Sequence, residues 1–476
     1  MKPDSRLQIG LAALLLLLAC WVVVYRIDAV PMNVWDESRQ ANNAREMLQS
    51  GNWLFTTYNG QPDFWNTKPH LLVVLQAFSM KLFGPGLLAL RLPSAIAGCL
   101  TLLVWFVFLF KRHGFETAGF FVLILVSCGG FNTYHVTRTG DYDALLILFV
   151  SLVTIRLFQI SEGSHSSFHW IQAGIFLALA ALTKSVAVLL WAPAWLFILF
   201  KKDLFKQKNI LNWLWLLGIP ALCISCYYLY REILTPGYLK AVWENEWVGR
   251  YARPNEGHIT PPWYYLTELK NRSFAWFILL LPVPFIWRGT DKIKKEKWLI
   301  FGMSLLFLAV ISVSATRIQW YAAPVLPLLC WLLALPFSFY TLRTRFLLLY
   351  TVCIGFAAVY GYFFNLGANT RTHGVRSEWL LMQIDRGENK PPAAKWLCSR
   401  YAPVEDYYKK VFMQKGIALK FIELKDCSAG DYVIVGHENM LSALNNSYGI
   451  ILISAPSDST PYWVVRIIDK KRIINY

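Results

Sequence analysis

The run Leu87-Leu-Ala-Leu-Arg91-Leu-Pro-Ser-Ala-Ile-Ala-Gly-Cys-Leu-Thr-Leu-Leu-Val-Trp-Phe-Val-Phe-Leu-Phe110 carries one charged side chain, Arg91, and is followed at once by Lys111-Arg112. A helix needs about 20 mostly apolar residues to cross the ~30 Å hydrocarbon layer. This run therefore reads as a membrane span that ends at a basic, cytoplasmic border. Similar runs recur at Leu7–Tyr25, Glu116–Phe131, Ala144–Ile160, Phe168–Leu182, Ser185–Phe200, Ile210–Tyr230, Ser273–Trp287, Trp298–Ser314, Tyr321–Tyr340 and Phe346–Leu366. About eleven transmembrane helices are expected within residues 1–366, which makes the fold an α-helical polytopic membrane protein.

Composition agrees. Of 476 residues, 56% are hydrophobic and 16% charged, against roughly 25% charged in a soluble protein. An ordinary cytosolic enzyme, a disordered chain and a disulfide scaffold are all excluded. The net charge of +17 comes from 46 Lys and Arg against 29 Asp and Glu. It concentrates in alternate short loops, at Lys111-Arg112, Lys201-Lys202 with Lys206 and Lys208, Arg288 through Lys297, and Arg343 with Arg345. That is the positive-inside bias, and it calls for no nucleic acid. The first run lacks a small-x-small cleavage site after Trp21-Val-Val-Val-Tyr25, so it is expected to stay as an anchor with a cytoplasmic N-terminus.

This parity places residues 26–86, 132–143, 231–272, the turns at Thr183-Lys184 and 315–320, and the C-terminal tail outside the membrane. Residues 367–476 change texture. Strand-like Asp431–Val435, Gly449–Ile453 and Tyr462–Arg466 alternate with helix-like Pro391–Tyr401 and Val404–Lys415, so a small extracytoplasmic α/β domain is expected. Seven of the nine cysteines lie in apolar runs as packing residues, Cys223-x-x-Cys226 included. Cys398 and Cys427 share the external domain and are candidates for a disulfide.

The first external loop carries the chemistry. Asp36 to Gly51 reads as a helix with a narrow apolar stripe, Ala41, Ala44, Met47 and Leu48, suited to the membrane interface. Asp36 and Arg39, three apart, share a face. Trp65-Asn-Thr-Lys68-Pro69-His70 then leads into an apolar helix, Leu71–Phe83, closed by Gly84. Proline at a helix start leaves amide donors pointing outward, and Lys68 beside them favours an anion such as phosphate.

The ordered set Asp36-Glu37-x-Arg39, Gly51-Asn-Trp53, Lys68-Pro69, Phe83-Gly84 and Leu90-Arg91-Leu92-Pro93-Ser94-Ala95 resembles the first-loop signature of the bacterial aminoarabinose transferase and protein O-mannosyltransferase superfamily. Further on, Arg138-Thr-Gly-Asp141-Tyr-Asp143 is similar to its second acidic motif, and Leu182-Thr-Lys184 to its leucine-x-lysine turn. Arg250-Tyr-Ala-Arg253 with His258 is similar to the basic loop ahead of a later span, and Ser312-x-Ser314 through Tyr321 to the late tyrosine motif. The likeness spans residues 31–327 and leaves the C-terminal domain uncovered.

The resemblance implies a GT-C fold and an inverting glycosyltransferase. Its donor would be a polyprenyl-phosphate sugar, and its acceptor an envelope lipid such as lipid A, a glycan or a protein. Asp36 would be the catalytic base. Glu37, Arg39, Lys68, Asp141, Asp143, Lys184, Arg253, His258 and Tyr321 would bind substrates, with Lys68, Arg39, Lys184 and Arg253 stabilising the phosphate that departs. In the aminoarabinose branch a glutamate commonly precedes Lys-Pro and can help hold a divalent metal; here it is Thr67. Metal use is left open by that change, with His70 and His258 as the other donors at hand. A secondary transporter or a polyprenyl-lipid flippase shares the polytopic pattern, but the ionisable residues gather in external loops and no internal repeat is visible.

Overall fold

The computed structural model describes residues 5–133, 135–163, 166–200, 211–248, 260–286, 290–338, 345–368, 378–399, 401–456 and 462–470. Helices dominate. The first spanning helix, α1 (Ser5–Val24), is followed by α2 (Asp36–Ser50), a two-stranded ribbon of β1 (Thr57–Tyr58) and β2 (Gln61–Pro62), and α3 (Leu71–Phe83). Next come α4 (Leu87–His113), α5 (Phe115–Ser127), α6 (Asp143–Ser161), α7 (Ser167–Leu189) and α8 (Ala192–Phe200). Beyond them lie α9 (Leu211–Leu234), α10 (Tyr264–Ser273 and Ala275–Ile286), α11 (Asp291–Val313), α12 (Gln319–Ser338) and α13 (Arg345–Ala368).

Among the described residues, seven helices are long and apolar enough to cross a membrane, or eight with α10, whose halves meet at 113°. The expected eleven is therefore not reached by length. The run at 116–131 yields only 13 helical residues in α5 before Cys128 turns extended. The run at 185–200 is interrupted at Leu190-Trp191, ahead of α8. The turn expected at Thr183-Lys184 is a break inside α7, where Lys184 has non-helical φ −152° and ψ 72°. The basic positions Lys201, Lys202, Lys206, Lys208, Arg288 and Arg343 lie outside the described residues.

Helix α2 occupies the expected range and ends at Gly51, whose φ of 69° is the left-handed stop that glycine adopts without strain. It is not interfacial. Glu37, Ser38, Arg39, Gln40, Asn42, Asn43, Arg45 and Glu46 are buried along with the apolar stripe. Most of these side chains bond to neighbouring stretches of chain, Glu37 to Arg91, Arg39 and Asn43 to Asp63, and Glu46 to Lys410, which a stripe count does not foresee.

The C-terminal residues form a sheet in the order β4-β3-β5-β7-β6, from β3 (Lys395–Leu397), β4 (Phe421–Ile422), β5 (Tyr432–Val435), β6 (Tyr448–Ser454) and β7 (Trp463–Lys470). Strand β3 runs parallel to β4 and β5, and β7 antiparallel to β5 and β6. The helix expected at Pro391–Tyr401 is absent: Lys395-Trp-Leu takes an inner strand of the sheet, whose burial outweighs local helix preference. Three helices flank the sheet, α14 (Glu378–Asp385), α15 (Pro403–Lys415) and α16 (Glu438–Ser447).

One sheet face packs under α16, through Val433, Val435, Val465 and Leu444. The other face, with α14 and α15, shares a core with α2, α3 and the start of α4, where Tyr407, Tyr408 and Phe412 meet Ala41, Ala44, Met47 and Leu90. Asn42 donates to the Pro403 carbonyl at 2.7 Å, Arg45 to the Lys410 carbonyl at 2.8 Å, and Lys410 to Glu46 at 2.6 Å. Cys398 and Cys427 are free thiols, packed on opposite faces of the sheet, so the expected disulfide is not formed.

Candidate active site

The site begins with how α2 is held. Arg91 of α4 reaches up to Glu37 at 2.6 and 3.0 Å, and donates as well to the carbonyls of Ile27, Val30 and Pro31. Glu37 also accepts from the amides of Asn33 and Gly140 and from the Asn33 side chain. Burial alone would raise the Glu37 carboxyl, but Arg91 and these amides hold it below the usual carboxylate range. Both Glu37 oxygens are saturated by the chain itself. The expectation that Glu37 contacts substrate is corrected accordingly: it fixes three loops around Asp36.

Arg39 is likewise taken. Its guanidinium makes a two-pronged pair with Asp63, at 2.8 Å on each arm, and lies 3.5 Å over the Tyr58 ring. Asp63 in turn accepts from Asn43 and from the amides of Trp65 and Asn66. Arg39 therefore braces the loop that carries Lys68; it neither pairs with Asp36 nor stands free for a phosphate. Helix α3 starts at Leu71, two residues beyond Pro69, so Pro69 does not hold the first helical position expected of it.

Lys68 instead sits between carboxylates, 4.0 Å from Asp36 and 3.9 Å from Glu246, with its ammonium 5.5 Å from the Tyr142 ring. Glu246 escaped the sequence reading because it sits in a short helical stretch, Trp243–Val248, with no motif around it. Thr67 donates to it at 3.1 Å. The carboxylate missing from position 67 is thus supplied beside the same lysine from a distant part of the chain.

The two aspartates of the second acidic motif part company. Asp143 opens α6 and holds Lys184 at 2.8 and 2.9 Å; the helix break at Lys184 is what lets its side chain turn there, 5.2 Å from the Tyr321 ring. Asp141 faces Asp36. It accepts from Thr139 at 2.6 Å and Gln40 at 3.1 Å, with His135 at 3.4 Å. Burial, with Asp36 and Glu37 nearby, pushes its pKa up to about 6 against the pull of His135. Gly140 keeps this loop tight, because a Cβ there would come within 2.8 Å of Gln76 and 3.1 Å of the Leu90 carbonyl.

Asp36, His135 and Asp141 offer one imidazole and two carboxylates whose ligating atoms lie within 4.8 Å of one another. That donor set fits a divalent cation, and the carbonyl oxygen of buried Gln40 next to it has no hydrogen-bond partner. His70, the donor expected from sequence, does not belong to it. Its ring nitrogens contact the Tyr227 hydroxyl and the Trp53 carbonyl, and burial pushes its pKa down to about 4. Arg253 and His258 lie outside the described residues.

Next to these groups opens a partly enclosed cavity. Asp143, Lys184, Glu246 and Tyr321 form its charged end, and Leu146, Val186, Leu190, Trp191, Phe307 and Ile311 an apolar continuation between α6, α7 and α11. The apolar continuation matches a hydrocarbon chain, and the polar end brings the Lys184 ammonium, held by Asp143, beside Glu246.

The family described as dolichyl-phosphate-mannose-protein mannosyltransferase matches residues 67–231. The undecaprenyl phosphate-alpha-4-amino-4-deoxy-L-arabinose arabinosyl transferase of Shewanella sediminis is 30% identical over 277 residues, 54% of this chain and 48% of that protein. Its counterpart in Pseudomonas savastanoi pv. phaseolicola is 27% identical over 328 residues, 67% of this chain and 60% of that protein. Over these stretches the chain is similar to the aminoarabinose transferase and protein O-mannosyltransferase superfamily. It spans about half to three fifths of the length of these relatives. The crystal structure of ArnT from Cupriavidus metallidurans bound to undecaprenyl phosphate has the same fold, with a TM-score of 0.70 at 16% identity over 96% of this chain and 98% of that one. The chain is a multi-pass membrane protein with this fold.

Proposed function

We propose that this chain is an inverting glycosyltransferase, moving a sugar from a polyprenyl-phosphate donor to an envelope acceptor such as lipid A, a glycan or a protein on the outer side of the membrane. The observation that carries this reading is the cavity, which joins Lys184, Asp143, Glu246 and Tyr321 to a channel of apolar side chains. The curated relatives are named for the same class of donor. A flippase would need the lipid site alone, whereas here the site continues into a second group of acids around Asp36.

The acceptor hydroxyl would lose its proton to Asp36, which is part exposed and 4.0 Å from Lys68. The oxygen would form a bond to the anomeric carbon as the bond from that carbon to the donor phosphate breaks. The departing polyprenyl phosphate gains a negative charge, and Lys68 and Lys184 stand on either side to stabilise it. Their present carboxylate partners, Glu246 and Asp143, hold both ammonium groups in position. A divalent cation held by Asp36, His135 and Asp141 would add Lewis-acid polarisation of an oxygen at that point. The C-terminal segment from 378 onward would close the site from outside, with the N-terminus cytoplasmic.

The test is reconstitution of the purified chain in liposomes with a polyprenyl-phosphate sugar, together with mass analysis of envelope lipids and proteins from cells with and without it. A sugar-modified acceptor that depends on the chain is expected. Unchanged envelope masses and movement of intact donor across the bilayer would overturn the reading in favour of a flippase.

A further inference from the structure

The ribbon of β1 and β2 has two residues on each strand, too few to be stable alone. Its turn, Asn59-Gly60, has φ 51° and 75°, the pair of left-handed residues that a two-residue hairpin turn calls for. What holds the ribbon is contact on both flanks. Glu46 of α2 accepts from the Thr57 hydroxyl at 2.8 Å and from the amides of Asn59 and Gly60 at 2.8 and 3.2 Å. From the C-terminal segment, α15 brings Asp406 and Lys410, four apart and so on one face. The Tyr58 hydroxyl donates to Asp406, and Lys410 donates to Asn59 at 3.1 Å as well as to Glu46.

Tyr58 thus joins two parts of the molecule. Its hydroxyl ends on Asp406, while the Arg39 guanidinium lies 3.5 Å over its ring. Burial and the Asp406 carboxylate raise the phenol's pKa, so it stays protonated and a donor at neutral pH. Arg39 in turn grips both oxygens of Asp63, the residue directly after the ribbon, and Asp63 accepts from the amides of Trp65 and Asn66 on the way to Lys68. The far end of this loop has anchors of its own, since Thr67 donates to Glu246 and its carbonyl accepts from the Tyr238 hydroxyl at 2.7 Å. The near end is set through Arg39, over the ring of Tyr58. Docking of α15 does not depend on Asp406, because Tyr407, Tyr408 and Phe412 already bury against Ala41, Ala44 and Met47.

We infer that Asp406 and Tyr58 are positioning residues for Lys68: the C-terminal segment, through Asp406, fixes the ring of Tyr58, and through Arg39 and Asp63 it fixes the loop that carries the lysine. The segment therefore acts on the phosphate-binding group as well as covering the site. Because Thr67 is anchored separately, loss of Asp406 weakens the placement of Lys68 without abolishing it. The inference deepens the proposed transfer reaction and rests on it for the role given to Lys68.

The experiment measures binding of radiolabelled polyprenyl phosphate to the full chain in nanodiscs, for the native chain, Asp406→Ala, Asp406→Asn, Lys68→Ala and the double variant Lys68→Ala with Asp406→Ala. Hydrogen exchange over residues 57–68 and 403–415 and thermal melting are read on the same samples. Asp406→Ala is expected to lose about tenfold in affinity, within the usual range of coupling between sites. Asp406→Asn keeps an oxygen for the Tyr58 hydroxyl and should stay within about twofold of the native chain. In the Lys68→Ala background Asp406→Ala should cost nothing further, which a merely structural role would not produce. Exchange should rise over 57–68 and stay unchanged over 403–415. Unchanged exchange over 57–68 in Asp406→Ala would overturn the inference, as would unchanged affinity or the same fold loss in both backgrounds. The binding assay uses no sugar, so Asp406-dependent binding in a chain that transfers none would refute the transfer reaction and leave the positioning of Lys68 standing. Sugar transfer by a chain whose affinity and exchange ignore Asp406 would refute the positioning alone.

Discussion

Lys184 holds Asp143 through both carboxylate oxygens, at 2.8 and 2.9 Å, at the charged end of an otherwise apolar cavity. An ammonium buried at that depth is expensive unless paired. A break in α7 at the lysine itself makes the pairing possible, so the position has been shaped around one charge. Lys184→Met is expected to lower the rate of sugar transfer by about 10²- to 10³-fold, the range seen when a donor to a developing anion is removed. The double variant Lys184→Met with Asp143→Leu separates function from structure. It recovers thermal stability lost in the single variant, because no charge is left buried alone, without recovering transfer.

Asp36 and Lys68 act on opposite partners of the same displacement and should fail differently. Asp36→Asn keeps the shape and removes the proton acceptor, so transfer falls by about 10²- to 10⁴-fold with donor binding retained. Lys68→Ala removes a cation from beside the leaving phosphate and leaves Glu246 and Asp36 with less compensation, so donor affinity falls along with turnover. Direct binding of a radiolabelled polyprenyl phosphate, measured beside initial rates, distinguishes the two. Equal loss of donor binding in Asp36→Asn would remove Asp36 from the acceptor side.

Much of this was legible in the chain, and the parts that were not share a cause. Helix α2 could be bounded from Asp36 and Gly51, and Leu71–Phe83 from its apolar run, because caps and periodicity are local. Asp36, Lys68, Asp143, Lys184 and Tyr321 could be singled out by their places in an ordered motif. Sequence could not say that Arg39 belongs to Asp63 or Glu37 to Arg91, because both partners lie 24 or more residues away and are chosen by packing. Glu246 is 179 residues from Thr67 and takes the place of a motif residue through space. The break at Lys184 was visible as a polar turn, whereas those at Leu190 and Phe274 divide apolar stretches without a marked change in composition.

The C-terminal segment has its own pH dependence. Burial, with Glu378 nearby, pushes the Glu405 carboxyl up to about 7, against the pull of His437. The folded form then binds a proton that the unfolded chain has already released, so this group's contribution to stability falls as pH rises from the ordinary carboxylate range towards 7. Glu405→Gln removes that slope. Thermal melting of the native chain and of Glu405→Gln between pH 4.5 and 8 checks it: the variant should gain relative to the native chain as pH rises.

Orientation is testable independently of activity. Single cysteines placed at Lys292, near the start of α11, and at Lys420, between α15 and β4, should react with an impermeant thiol reagent from opposite sides of the membrane. Lys292 is expected to label only after the cytoplasm is opened, and Lys420 in intact spheroplasts. The background is a chain whose partly exposed native cysteines have been replaced. The reverse pattern would place the Asp36 loop in the cytoplasm and remove the extracytoplasmic acceptor.

The pair Glu37 and Arg91 decides whether α2 is held at all. Arg91 is 1% exposed and makes five hydrogen bonds, two to Glu37 and three to carbonyls between α1 and α2. Removing one member of a buried ion pair costs about 3–5 kcal/mol, because the other is left without compensation. Arg91→Ala is therefore expected to be among the most destabilising single changes in the first loop, although it lies in a span and touches no substrate. Glu37→Gln should cost less, since it leaves one acceptor oxygen, although the Asn33 and Gly140 amides bond different Glu37 oxygens and only one of them keeps its partner. The double variant should lose less than the sum of the two by more than about 1 kcal/mol, the sign of direct coupling. Thermal melting in detergent reads the cycle. Transfer should fall in step with the folded fraction, in contrast to Lys184→Met, where loss of transfer exceeds any loss of fold.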